Sequence, residues 1–191
     1  MPTRHDDPQG PKTSPRTRAL TLDNLWHGVQ DVVAGSHLFR SLSPEARKEL
    51  VERANVQVFP AGRVILRERE DGSDFYLVDQ GWVEVTTSGP EDRAVTLCTL
   101  GRGGFFGEVS VLTGAPRTAT VTALTDVVLV AFQKKDIDEV LTRDPKARRL
   151  LEAVVAGRAR DALEKLARAS SSPEEADEPA PPGEVRDPEG G

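Results

Sequence analysis

Glu108 and Arg117 are the two residues whose types and spacing could do chemistry together. They stand nine positions apart in Phe105-Phe106-Gly107-Glu108-Val109-Ser110-Val111-Leu112-Thr113-Gly114-Ala115-Pro116-Arg117-Thr118-Ala119-Thr120-Val121. A short helix starting near Glu108 points the free N–H groups of its first turn outward, where they attract an anion. Gly107 lacks a Cβ and lets the backbone come close to a ligand. Arg117 follows Pro116 at the start of an expected strand and offers a permanently charged fork to a phosphate. A carboxylate beside an anion site makes sense when the ligand also carries hydroxyl donors, such as a ribose 2′-OH. An acid for the sugar and an arginine for the phosphate, on two sides of one helical turn, fit a nucleotide monophosphate. Taken singly, Arg117 reads as a surface arginine and Glu108 as a helix N-terminal acid favoured by the dipole. Their joint placement in one segment gives them the sharper meaning.

The other reactive residues point away from catalysis. A single cysteine, Cys98, excludes an intramolecular disulfide, a Cys-rich zinc knuckle and an iron–sulfur cluster. It is expected as a buried, inert strand residue. The histidines, His5, His27 and His37, all precede the first expected strand. No histidine cluster can therefore hold a metal inside the strand region, and no Ser/His/Asp or Cys/His set can be drawn there. Gly101-Arg102-Gly103-Gly104 has Phe106 where a dinucleotide fingerprint needs its third glycine, and no G-x-x-x-x-G-K-[ST] occurs. The expectation is a non-enzymatic protein with no metal and no cofactor.

The elements that must position Glu108 and Arg117 follow from periodicity. Leu22, Leu25, Trp26, Val29 and Val32/Val33 recur at helical spacing over residues 20–36. A second helix starts at Ser43-Pro44, with serine as N-cap and proline at the first helical position, and is expected to bury Ala46, Leu50, Val51 and Ala54. From Asn55 the period becomes two: Val56/Val58, Val64/Leu66, Phe75/Leu77, Val83/Val85, Val95/Leu97, Val121/Ala123 and Val128/Val130. Turn signals such as Pro60-Ala61-Gly62, Asp71-Gly72-Ser73 and Ser88-Gly89-Pro90 divide them. Trp82 is expected in a strand. Seven or eight short strands at this rhythm predict a β-sandwich or small barrel. Glu108–Leu112 interrupts them as one helical turn. Lys134–Thr142 and Pro145–Arg168 are predicted helices, the latter with Leu151, Val154, Val155, Ala159, Ala162 and Leu166 on its apolar face.

Composition bounds the remainder. The chain has 191 residues, 37% hydrophobic, with a net charge of −6. Residues 173–191 carry seven acids against Arg186, and residues 1–20 lack apolar periodicity. The expected organisation is a disordered tail over 1–20, one domain over 21–168 and a disordered, acidic, proline-rich tail over 169–191. The longest apolar run, Val127–Phe132, is too short to span a bilayer. No signal peptide or lipidation motif is expected, so the protein is expected in the cytoplasm without a membrane partner. No strongly basic domain exists, which argues against direct DNA binding.

Gly107-Glu108 followed by Pro116-Arg117-Thr118-Ala119-Thr120-Val121 resembles the phosphate-binding cassette of cyclic nucleotide-binding domains, as found in catabolite-activator transcription factors, kinase regulatory subunits and cyclic-nucleotide-gated channels. Phe75-Tyr76-Leu77-Val78-Asp79-Gln80-Gly81, Phe59-Pro60-Ala61-Gly62 and Leu38-Phe39-Arg40-Ser41-Leu42-Ser43 are similar to other signatures of that family. The resemblance covers about residues 20–166. It implies a mainly β fold with flanking helices: a jelly-roll-like β-roll (double-stranded β-helix) with N-terminal helices, an embedded phosphate-binding turn and two C-terminal helices. It also implies a stand-alone bacterial-type member lacking a DNA-binding domain, with cAMP or cGMP as ligand. Glu108 would then accept the ribose 2′-OH, and Arg117 would pair with the cyclic phosphate. Backbone groups of Gly107, Val109 and Ser110 would complete the phosphate nest, and Thr118 would touch phosphate or purine. No aromatic follows Phe132, so the purine lid would come from Leu151, Val154, Val155 or Arg158. Ala159–Leu166 could pair with a second copy, and closure of the last helix would signal to that copy or to an effector protein. A ligand-free scaffold, or one that binds a cyclic dinucleotide, is the alternative on the same fold.

Overall fold

The computed structural model describes residues 22–171. The expected tail over 1–20 lies outside the described residues, as does the second expected tail from position 172 onward. Helix α1 (Leu22–Gly35) and helix α2 (Pro44–Arg53) come first, separated by a single 3₁₀ turn at Phe39–Ser41. Ser43 caps α2, its hydroxyl accepting the Ala46 N–H at 3.1 Å, and Pro44 opens the helix as its fixed φ favours. Eight strands follow: β1 (Asn55–Phe59), β2 (Val64–Leu66), β3 (Phe75–Gln80), β4 (Val83–Ser88), β5 (Ala94–Leu100), β6 (Phe105–Phe106), β7 (Thr120–Ala123) and β8 (Val127–Phe132). Helix α3 (Glu108–Thr113) lies between β6 and β7, and α4 (Lys134–Arg143) and α5 (Pro145–Ser171) close the described chain.

The strands form two four-stranded sheets, ordered β1-β8-β3-β6 and β2-β7-β4-β5, with antiparallel pairing in each. The strand rhythm predicts such a sandwich or a small barrel, and the resemblance implies the β-roll with flanking helices that is found.

Strands β3, β6 and β8 of the first sheet are buried on both faces. Phe75 and Leu77 of β3, Phe105 of β6, and Val130 and Phe132 of β8 join α1, α2, α4 and α5 in one core. Their alternate neighbours, Tyr76, Val78, Phe106, Val127, Leu129 and Ala131, pack between the sheets in a second core. An antiparallel strand covered on both faces reads as an unbroken apolar run, which is why Val127–Phe132 shows no polar alternation.

Local differences from expectation have identifiable causes. β6 is two residues long, too short to show a period. Trp82 sits in the turn between β3 and β4, 55% exposed, with its ring lying over Gly101. Val58, which shares the spacing of Val56, is 56% exposed on β1, at the edge of its sheet. Helix α5 continues past Arg168 through Ala169 to Ser171, with Ser170 and Ser171 donating their hydroxyls to the carbonyls of Leu166 and Ala167. Among the described residues no helix is long and apolar enough to cross a membrane.

Candidate functional site

Helix α3 starts where Gly107 adopts φ +82°, a left-handed conformation that suits glycine, and it ends at Gly114, φ +71°. Two backbone turns without side chains thus frame a six-residue helix. Lys134 of α4 donates its ammonium to the Val111 carbonyl and ties down the far end of α3. Glu108 and Ser110 are buried, Val109 is half-buried, and Val111 anchors α3 in the first core.

Arg117 enters this site from a segment held by its own backbone. Its N–H donates to the Glu70 carbonyl at 2.9 Å, and its carbonyl accepts the Arg69 N–H at 2.7 Å. Arg69 itself sits at φ +69°, uncommon for a residue with a side chain. Arg117 is 5% exposed and donates Nη1 to the Gly107 carbonyl at 3.2 Å.

Two glycines make room for the guanidinium. A Cβ on Gly72 would lie 2.8 Å from Arg117 Nε, and one on Gly107 would lie 2.8 Å from Nη1. Nε is buried with no hydrogen-bond partner. Burial pulls the Arg117 pKa below its ordinary value, and the neighbouring Tyr76, Asp74 and Glu108 push it back up. The guanidinium stays charged. Its desolvation is only partly compensated, so an anion accepting from Nε would improve its energy.

Glu108 is met from the other side by α5. Arg158 donates Nη1 to Glu108 Oε1 at 2.8 Å and to the Phe105 carbonyl at 2.9 Å. Its guanidinium carbon stands 4.7 Å from the centre of the Phe105 ring, a cation–π contact. Arg158 thus joins α5 to α3 and to β6.

Of the residues singled out in the sequence, Gly107, Glu108, Val109, Ser110 and Arg117 come together around α3. Thr118 follows Arg117 and is exposed. The four lid candidates separate. Leu151 is fully buried in the first core among the helices and is not available as a lid, because the helical stripe that suggested it is the stripe that anchors α5. Val154 packs at the margin of the same core, Val155 is half-buried, and Arg158 alone of the four is bonded to Glu108. Cys98 is half-buried on β5. Burial pushes its thiol pKa up, while Arg158 and Lys165 oppose that shift. Sequence reasoning missed Gly72, Asp74, Tyr76 and Phe105 as parts of the site. Asp71-Gly72-Ser73 gives a turn signal, but no local pattern can say that the turn packs against Arg117.

Residues 56–144 match the model of the cyclic nucleotide-binding domain. That segment is a domain of this family. It is 36% identical over 115 residues to a cyclic nucleotide-gated potassium channel of Mesorhizobium japonicum, covering 60% of this chain and 30% of the channel. It is 27% identical over 139 residues to the CRP-like cAMP-activated global transcriptional regulator of Mycobacterium tuberculosis, covering 73% of this chain and 62% of the regulator. The catabolite activator protein of Thermus thermophilus superposes with a TM-score of 0.60 at 31% identity, over 70% of this chain and 62% of that one. The chain thus spans less than two thirds of each of these relatives. The family match runs from β1 to the end of α4 and includes α3 and Arg117; Arg158 lies beyond it.

Proposed function

We propose that this cyclic nucleotide-binding domain is a non-enzymatic sensor of cAMP or cGMP. The observation that carries the reading is the buried Arg117 guanidinium, cradled by Gly72 and Gly107, with Nε unpartnered beside the buried carboxylate of Glu108. Arg117 would pair with the cyclic phosphate, whose second bridging ester leaves one negative charge to meet one guanidinium. Glu108 would accept the ribose 2′-OH. The backbone of Gly107, Val109 and Ser110 would line the phosphate, and Thr118, being exposed, is free to meet phosphate or purine. Val155 would cover the purine. A relative named for activation by cAMP makes that nucleotide the first to test. The signal would leave through α5, to an effector protein or to a second copy paired along Ala159–Leu166, where Leu163 is 67% exposed.

The test is the thermal midpoint of the protein with cAMP, cGMP or neither, with Arg117→Ala alongside. A ligand at about 100 times its Kd adds roughly 2.7 kcal/mol to the native state. For a domain of this size that raises the midpoint by roughly 5–11 °C. The expected result is such a rise with one nucleotide, lost in Arg117→Ala. No rise with either nucleotide would favour the second reading, a scaffold that is ligand-free or takes a cyclic dinucleotide. The pairing of Glu108 with Arg158 supports that reading, because it satisfies the carboxylate without a sugar.

A further inference from the structure

Trp82 is 55% exposed, and Leu124 beside it is 47% exposed. Val83 pairs with Ala123 on one side and Leu100 on the other, which sets Leu124 and Gly101 on the two flanks of Trp82. The Leu124 N–H donates to the Trp82 carbonyl at 2.8 Å, and the Trp82 N–H donates to Thr125 Oγ1 at 3.0 Å. A Cβ on Gly101 would lie 2.8 Å from the indole ring, so the ring is seated directly on backbone. An exposed aromatic fixed in this way loses little freedom when it is covered, which is the property of an interface hot spot. Two exposed cations stand beside it. The Arg63 carbonyl accepts the Ala123 N–H at 2.9 Å, and Arg102 follows Gly101, its guanidinium 3.5 Å from Asp79. The acids Asp126 and Glu84 on this part of the surface already accept from the Ala61 N–H and the Thr96 hydroxyl.

The position of α5 says what can reach this patch. The helix runs beside β5, from Arg158 at the Phe105 carbonyl past Lys165 at the Leu97 carbonyl, and packs against the 90–92 turn. Ser171 therefore ends at the turn of the β4–β5 hairpin, and Trp82 stands at the hairpin's opposite end. β4 has six residues, roughly 20 Å of strand. Beyond Ser171 the sequence continues Ser172-Pro173-Glu174-Glu175-Ala176-Asp177-Glu178-Pro179-Ala180-Pro181-Pro182-Gly183-Glu184. Pro179 is eight positions on, and at about 3.1 Å per residue an extended spacer of that length covers roughly 25 Å. Its four acids repel one another and favour extension. The reach thus matches the length of the hairpin. Proline-rich segments are pre-ordered and dock on exposed aromatic surfaces. Glu178 and Glu184 bracket the prolines as Arg102 and Arg63 bracket the patch. We propose that Pro179-Ala180-Pro181-Pro182 docks on Trp82 and Leu124 of its own chain. A short spacer gives an effective concentration on the order of millimolar, so a contact too weak to form between molecules is populated within one. The docking is independent of the ligand reading above.

The test uses the full chain carrying Trp26→Phe, which leaves Trp82 as its one tryptophan. Acrylamide quenching of Trp82 fluorescence is compared with and without the further changes Pro179→Ser, Pro181→Ser and Pro182→Ser. Docking predicts that quenching becomes at least about twofold more efficient once the prolines are replaced. Glu178→Gln with Glu184→Gln should give a smaller rise, because exposed ion pairs contribute modestly. A dilution of about a hundredfold should leave the protection unchanged, as expected of a tethered segment. A second measurement keeps Trp26 in place. In ¹⁵N-labelled wild type the indole N–H resonance of Trp82, told from that of Trp26 by the Trp26→Phe spectrum, should move when the three prolines are replaced. Equal quenching with and without the prolines, or an unmoved Trp82 resonance, would overturn the proposal. Protection lost on dilution would place the segment on a second copy and overturn docking within one chain.

Discussion

The two sides of the site each present an arginine, and the two are held in opposite ways. Arg117 is pinned through its own backbone to Arg69 and Glu70, and its guanidinium is packed between two glycines. Arg158 projects from a half-helix with no buried residue and reaches the site by side-chain contacts alone. The first arrangement fixes a charge where a phosphate would be met, with little entropy left to lose on binding. The second is held less firmly, since a side chain one third exposed is already partly hydrated. The roll thus fixes one arginine through its backbone, and the helix presents the other through its side chain.

The largest effect that tests this contrast comes from the anchor of α5. Leu151→Ala removes a fully buried side chain, and a loss of about 2–5 kcal/mol is expected in denaturant unfolding. Arg158→Gln should cost less than about 1 kcal/mol, because the side chain it replaces is one third exposed. Equal costs would mean that both halves of α5 are equally part of the fold. A middle-sized effect is expected at Gly107. An alanine there must adopt φ +82° and would set its Cβ 2.6 Å from the Asp74 carbonyl. Loss of about 1–3 kcal/mol should follow, and calorimetric titration should show nucleotide binding reduced beyond what the altered stability explains. The smallest effect is a gain. Gly157→Ala meets no neighbour and should stabilise α5 by up to about 1 kcal/mol. It should also slow hydrogen exchange after position 157; unchanged exchange would mean that Gly157 does not weaken the helix there.

Much of the roll is legible in the sequence because its strands obey short-range rules. Ser43-Pro44 announces α2, period-two pairs announce the strands, and Glu108 after Gly107 announces α3. Glu108 and Arg117 are legible as a pair because they fall within one short segment. What escapes depends on separation along the chain. Gly72 meets Arg117 across forty-five positions, and Arg158 meets Glu108 across fifty. A helical stripe also cannot tell a residue that faces a core from one that faces a ligand. Leu151 and Arg158 lie on the same helix, and only the packing of α1, α2 and α4 around its first turns separates their roles. The doubly buried sheet is hidden for a related reason: an apolar run says that a strand is covered, not by what.

The sheet β1-β8-β3-β6 is a party wall, with one face in each core. Neither core can melt while the other stays intact, because losing β3 or β8 strips both at once. Heat should therefore unfold the roll and its anchored helices in one cooperative step, with calorimetric and van't Hoff enthalpies in agreement. β6 places Phe105 in one core and Phe106 in the other, immediately before Gly107. A ligand that steadies that corner acts on both cores together, so its grip would be felt throughout the unfolding transition.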